Sequence, residues 1–209
     1  MPLQNRVTPE GEIVATPHRG LMMGNRGGAF HRPDRTLGPA RWASRQWICC
    51  VLAFKGRRRQ LMQPHRYTEL FFLDEATALA AGHRPCFECR RADAMRFAEL
   101  WAACHGMATR PSAPDMDRAL HGERLSSDKR KASFASALAT LPDGTFVRLG
   151  GEPDCYLVAG KALLPWSLEG YGAARQRPAN GEVQVLTPRS IVAVLSAGYR
   201  PMLHPSAET

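Results

Sequence analysis

The spacing of apolar and polar positions changes several times along the chain, and each change marks an element. Leu70 to Leu73 is a short apolar run that reads as a buried strand. Asp74 follows as a helix cap, with Glu75 in the first turn, where a carboxylate is favoured. Ala76, Ala78, Leu79, Ala80 and Ala81 extend that helix, Gly82 supplies its left-handed stop, and Pro85 keeps it from restarting. Trp47 to Phe54 predicts a second buried strand. Lys55-Gly56 with Arg57 to Arg59 reads as a hairpin tip, and Gln60 to Gln63 as the return strand. Phe97, Trp101 and Cys104 recur at helical spacing and predict an amphipathic helix over Ala92 to Cys104. Asp115 to Leu125 predicts another helix. Ser126 to Thr140 starts polar and predicts a helix through Phe134, Ala137 and Leu138.

Beyond the Asp143-Gly144 turn, Thr145 to Leu149 and Cys155 to Val158 form a predicted hairpin, followed by Ala162 to Trp166. Glu182 to Leu186 alternates as a strand, and Thr187-Pro188 opens a helix from Ser190 to Ala197 that Gly198 ends. Upstream, Glu12 to Thr16 predicts a strand and Gly24 to Gly28 a loop. The expected class is α+β: small mixed sheets and hairpins with several short helices. Three stretches organise it: a Gly- and Arg-rich segment over 1–40, a basic hairpin with a cysteine turn and helix over 41–110, and helices, hairpin and a strand-helix unit over 115–209. They need not be separate domains. Ala-Gly-aromatic-Arg-Pro occurs twice, at Ala81 to Pro85 and Ala197 to Pro201. A shared way of stopping a helix explains this more cheaply than duplication.

Charge sharpens the picture. The 209 residues carry a net charge of +9, with a pI of about 9.7, so the surface attracts polyanions. Arg41 to Arg66 holds no carboxylate. Trp42 and Trp47 bracket that basic stretch, where core packing is a better expectation than base stacking. Met1 to Gly20 lacks the apolar core of a secretory signal, and Ile48 to Phe54, the longest strongly apolar run, is too short to span a bilayer. A cytoplasmic chain with reduced thiols is expected, and no membrane partner.

The six cysteines therefore read as ligands or packing groups. Cys86-x-x-Cys89 follows directly from the helix stop, and two thiols at that spacing can grip one tetrahedral metal. Cys49 and Cys50 are neighbours on a strand and point to opposite faces, so one of them at most joins the pair easily. Cys50 and His65 are the preferred further ligands, ahead of Cys49, His31, His83 and His105. Zinc is the expected ion. Arg57, Arg58, Arg59, Arg84, Arg90 and Arg91 are the candidate contacts to phosphate.

The stretch from Glu69 to Arg91, a strand and an alanine-rich helix running into Ala-Gly-aromatic-Arg-Pro-Cys-x-x-Cys, resembles the second half of the metal-binding domain of the Ada-type DNA methyl-phosphotriester repair proteins. The resemblance implies a small treble-clef-like zinc knuckle against DNA backbone, in DNA repair or damage response. It covers these two dozen residues. The family's first cysteine pair has no counterpart in Lys55 to His65, so methyl transfer is not implied.

No nucleophile elbow, His-Glu-x-x-His or phosphate-binding P-loop is present. Pro85-Cys-x-x-Cys89 matches half of the zinc-deaminase signature, but the His121-x-Glu123 pair comes after it rather than before. Tyr67 and Glu69 are acid–base candidates, although an arginine partner is the simpler expectation for Glu69. The first expectation is a zinc-containing nucleic-acid-binding protein, with DNA the expected polymer. The alternatives are a metal-dependent hydrolase or nuclease on nucleic acid, and a structural or partner-binding protein. Ligand count discriminates the first two: four protein ligands favour the binder, three and an open position the enzyme.

Overall fold

A computed structural model describes residues 1–57 and 60–208. Among the described residues, two six-stranded sheets, four α-helices and two short 3-10 helices make an α+β architecture. The first sheet contains β1 (Gln4–Val7), β2 (Ile13–Ala15), β3 (Met22–Arg26), β4 (Trp47–Val51), β5 (Leu70–Phe72) and the two-residue β6 (Arg84–Pro85), in the order β2-β1-β5-β3-β4-β6. The β1–β5 and β4–β6 pairs are parallel and the others antiparallel. The second sheet is antiparallel throughout. It contains β7 (Phe134–Ala137), β8 (Phe146–Arg148), β9 (Cys155–Ala159), β10 (Ala162–Pro165), β11 (Arg175–Gln176) and β12 (Glu182–Val185), in the order β11-β10-β9-β8-β12-β7. Among the described residues no helix is long and apolar enough to cross a membrane.

The short helix α1 (Glu75–Ala80) is the hub, and all its residues are buried. Ala78 and Ala81 pack with Val7, Cys49 and Phe72 of the first sheet. Ala76 and Ala80 pack with Phe146, Leu157 and Leu164 of the second. Leu79 faces the third body, where α2 (Arg91–Cys104), α3 (Ala113–Arg124) and α4 (Arg189–Ser196) share Phe97, Trp101, Leu120 and Ile191. Alanine lets two sheets and a helical layer close on one helix; a larger side chain would overpack one of them.

The expected ends of α1 are present. Asp74 accepts from the Thr77 amide at 2.8 Å, and Gly82 has φ 87°. Asp74 also accepts from the Tyr171 hydroxyl and the His204 amide. Glu75 accepts from Tyr199, Arg90 and the Met202 amide. The C-terminal segment is thereby tied to the first turn of the central helix.

Three expectations change. Gly24 lies inside β3, between β5 and β4, rather than in a loop. A Cβ there would sit 2.1 Å from the Ile48 carbonyl oxygen and 2.9 Å from the Phe72 ring, so glycine is needed for close strand approach. Phe134 to Ala137 is a strand, because it pairs residue for residue with β12, and that long-range ladder overrides the helix preference of its alanines. Gln60 to Gln63 holds a turn at Leu61 and Met62 instead of a return strand. The Glu69 carboxylate holds it by accepting from the Met62 amide at 2.7 Å.

Candidate metal centre

The register of three strands builds the site. Met23 of β3 pairs with Cys50 of β4 and Phe71 of β5, and Asn25 pairs with Ile48. Side chains alternate along a strand, so Met23, Asn25, Ile48, Cys50, Glu69 and Phe71 share one face. All of them border one cavity of about 490 Å³. The other face carries Met22, Cys49, Leu70 and Phe72 into the core. The strand parity that left the choice between Cys49 and Cys50 open is thus resolved for Cys50.

Cys86 and Cys89 come from the turn between β6 and α2. The Cys86 amide donates to the Cys49 carbonyl at 3.0 Å, which extends the parallel pairing, and the Arg90 amide closes the turn on the Cys86 carbonyl at 3.0 Å. The sulfurs of Cys50, Cys86 and Cys89 lie within 4.8 Å of one another, close enough to hold one metal ion. The Glu88 amide approaches the Cys86 sulfur at 3.4 Å. The Cys50 thiol donates to both neighbours, which raises its own pKa and is the first cause lowering theirs, Cys86 to about 5. Backbone amides of Glu88, Cys89 and Val51 add to the lowering. Hydrogen bonds to the charged sulfur favour thiolate, the form that binds metal.

Cys49 is fully buried behind them, 3.6 Å from the Arg90 guanidinium, and burial raises its pKa. His65 does not join the cluster: it is exposed, with φ 61°, in the turn segment beyond the cavity. His83 is buried against Phe72 and Trp47, His31 bonds Thr68 and Gln63, and His105 stacks on Trp101. Among the described residues no fourth His, Cys, Asp or Glu stands with the three sulfurs.

The arginines divide. Arg57 is exposed and pairs with Glu88 at 2.6 Å, and Arg91 is exposed at the start of α2. Arg84 and Arg90, expected at phosphate, point inward instead. Arg84 is bound by Asp117, and Arg90 by Glu75 and Asp93. Asp117 and Glu75 are brought from other elements, and Asp93 lies in the first turn of α2 beside Arg90. Arg58 and Arg59 lie outside the described residues.

Glu69 was expected to find an arginine. It is 1% exposed, and one oxygen accepts from Met62. Its Oε1 is buried with no partner among the described residues. Asn25 was not foreseen in the cavity at all, since the expected loop over Gly24 to Gly28 hid its strand parity. Phe54, Leu61 and Tyr67 also line the cavity. Comparison of the chain with protein-family models, curated proteins and solved structures gave no match.

Proposed function

We propose that the chain is a metal-dependent enzyme of the hydrolytic class, in which Cys50, Cys86 and Cys89 hold zinc and the fourth position faces the cavity. One observation carries the reading: three thiols gathered at the wall of a cavity of about 490 Å³ without a fourth protein ligand among the described residues. A structural zinc site takes four protein ligands, whereas a catalytic one takes three and leaves a place open. Bound there, the ion would lower the pKa of water and polarise a substrate oxygen.

The chain's own residues supply the rest. The Met62 amide fixes one oxygen of Glu69 and leaves Oε1 to accept a proton or hydrogen bond from a ligand. Asn25 adds a polar group to the same sheet face. Ile48, Phe54 and Phe71 give apolar walls that exclude water, and the volume suits a small molecule or one extruded unit of a polymer. Reduced cysteines of this kind belong in a reducing compartment such as the cytoplasm.

A second reading is a metal-stiffened binder of nucleic acid, with DNA and its repair as the setting. It draws on the net charge of +9 and on exposed Arg57 and Arg91, and it loses Arg84 and Arg90 to buried ion pairs. Elemental analysis and X-ray absorption on the purified protein test both. One zinc per chain with three sulfurs and one lighter ligand supports the enzyme. Four sulfur or imidazole ligands, or no metal, would refute it. Binding to duplex that weakens steeply with salt would support the second reading.

A further inference from the structure

The opposite face of β3 and β4 carries a second concentration of charge. Arg26 at the end of β3 is 2% exposed, and Arg124 at the end of α3 is 1% exposed. Their guanidinium carbons lie 4.0 and 3.9 Å from the Trp47 ring centroid. Arg26 donates to the Gly11 and Arg41 carbonyls and to His83 Nε2. Arg124 donates to the Gly82 and Arg45 carbonyls and contacts His121. Lys131 reaches in from the segment after α3, where it bridges Leu125, and its ammonium donates to the Ala80 carbonyl at 2.5 Å. None of these three cations has a carboxylate within ion-pair distance among the described residues.

These side chains border a cleft of about 110 Å³, with Arg41, Lys129 and Arg130 also lining it. Two carboxylates reach its border. Glu10 is engaged by Arg148, and Glu12 is exposed. Arg130 is paired with Asp128. Glu12 at the border, and Asp117 beyond Arg124 and already bound by Arg84, are the carboxylates left to offset Arg26, Arg41, Arg124, Lys129 and Lys131 among the described residues. Like charges withdrawn from water without a counter-ion are costly. Carbonyls and the Trp47 ring relieve part of that cost. They leave Arg124 Nε, a buried donor, without a partner among the described residues, and a native buried donor without a partner calls for an explanation.

We propose that this cleft binds a phosphate-class oxyanion, held from within by Arg26, Arg124 and Lys131 and at the mouth by Lys129 and Arg130. Guanidiniums match tetrahedral oxyanions through paired N–H donors. The space accommodates several water-sized groups, enough for one such anion. Trp42 stands at the same cleft, its ring 5.9 Å from that of Trp47, so an aromatic ring attached to the phosphate has a surface to lie on. The site lies behind the thiol-bearing face of the sheet and does not depend on a metal there.

Calorimetric titration of the full-length protein with inorganic phosphate, at ionic strength held constant with chloride, tests the proposal. Saturable binding is expected, weakened about tenfold or more in the exposed Lys129→Ser/Arg130→Ser double variant and again in Lys131→Met. The same binding in Cys50→Ser separates this site from the metal reading. A 5′-mononucleotide that binds more tightly than phosphate extends the site to Trp42, and equal affinity assigns it to the free anion. A response no larger than that to chloride, or one unchanged in both variants, overturns the proposal. So does equal binding of the nucleoside without its phosphate.

Discussion

Arg84 and Asp117 meet in two parallel hydrogen bonds, 2.9 Å from Nε to Oδ1 and 2.7 Å from Nη2 to Oδ2, with side chains 2% and 7% exposed. The pair joins the residue two before Cys86 to α3. It turns an arginine with the look of a phosphate contact into a brace for the cysteine turn. Burial raises the Asp117 pKa, and Arg84 opposes that rise. Arg84→Met leaves the carboxylate buried and unpaired, and should cost about 3–5 kcal/mol in denaturant unfolding. The Arg84→Met/Asp117→Leu double variant should recover most of that loss, because an apolar pair removes the uncompensated charge.

Cys49 and Cys50 provide a sharper split, since adjacent residues on one strand serve opposite faces. Cys50→Ala should abolish stoichiometric zinc measured by elemental analysis, because two thiols remain where three met. Cys49→Ala should keep the metal and cost about 1 kcal/mol of stability through lost packing beside Arg90. Equal metal loss in both variants would mean the sheet face has been assigned wrongly.

What could be read from the chain alone follows the range of the forces involved. Asp74, Gly82 and Pro85 act within a turn of their own position, and the helix between Asp74 and Gly82 is present with its cap and its stop. The repeated Ala-Gly-aromatic-Arg-Pro is likewise local. Gly82 and His83 donate to Leu79 and Ala78, and Gly198 and Tyr199 donate to Leu195 and Val194, so both copies make the same stop. The arginines were misjudged because their partners are remote: Glu75 lies 15 residues from Arg90, and Asp117 lies 33 from Arg84. The same holds for Phe134 to Ala137, whose strand exists only through β12. The α+β class was legible from the mixed periods, while sheet order required long-range pairing. Cys50 was legible as a candidate, but its face was decided by the register with Met23.

Glu69 has the signature of a group kept at some cost to stability. Glu69→Gln retains an acceptor for the Met62 amide and removes a buried, half-partnered charge, so the thermal midpoint should rise while metal content stays constant. Glu69→Ala should cost about 1–3 kcal/mol, because the fully buried Met62 loses its acceptor. Its amide should then exchange with solvent faster, read by hydrogen exchange. A Glu69→Gln variant less stable than the parent would mark the carboxylate as a structural anchor and weaken its proposed chemical role.

Lys131 makes the cation cleft visible in the pH dependence of stability. Burial, with Arg26 and Arg124 close by, pushes its pKa from 10.5 down to about 7, and Cys155 opposes this weakly. The unfolded chain keeps the proton up to the ordinary lysine range, whereas the folded chain releases it near pH 7. Between these values the unfolded state binds more protons, so stability should rise with pH above 7, with a slope of up to about 1.4 kcal/mol per unit. Below pH 7 both states are protonated, so the slope vanishes and the full cost of the buried charge remains. From pH 7 to 9 the lowered Cys86 and Cys89 thiols add a slope of the same sign, so the share of Lys131 is the difference between the parent protein and Lys131→Met. Denaturant unfolding across that window should show a steeper slope in the parent protein than in Lys131→Met. Saturating phosphate should also flatten it, since an anion beside the ammonium draws Lys131 back toward its charged form. Equal slopes in the parent protein and Lys131→Met would remove the ammonium from the buried charge cluster.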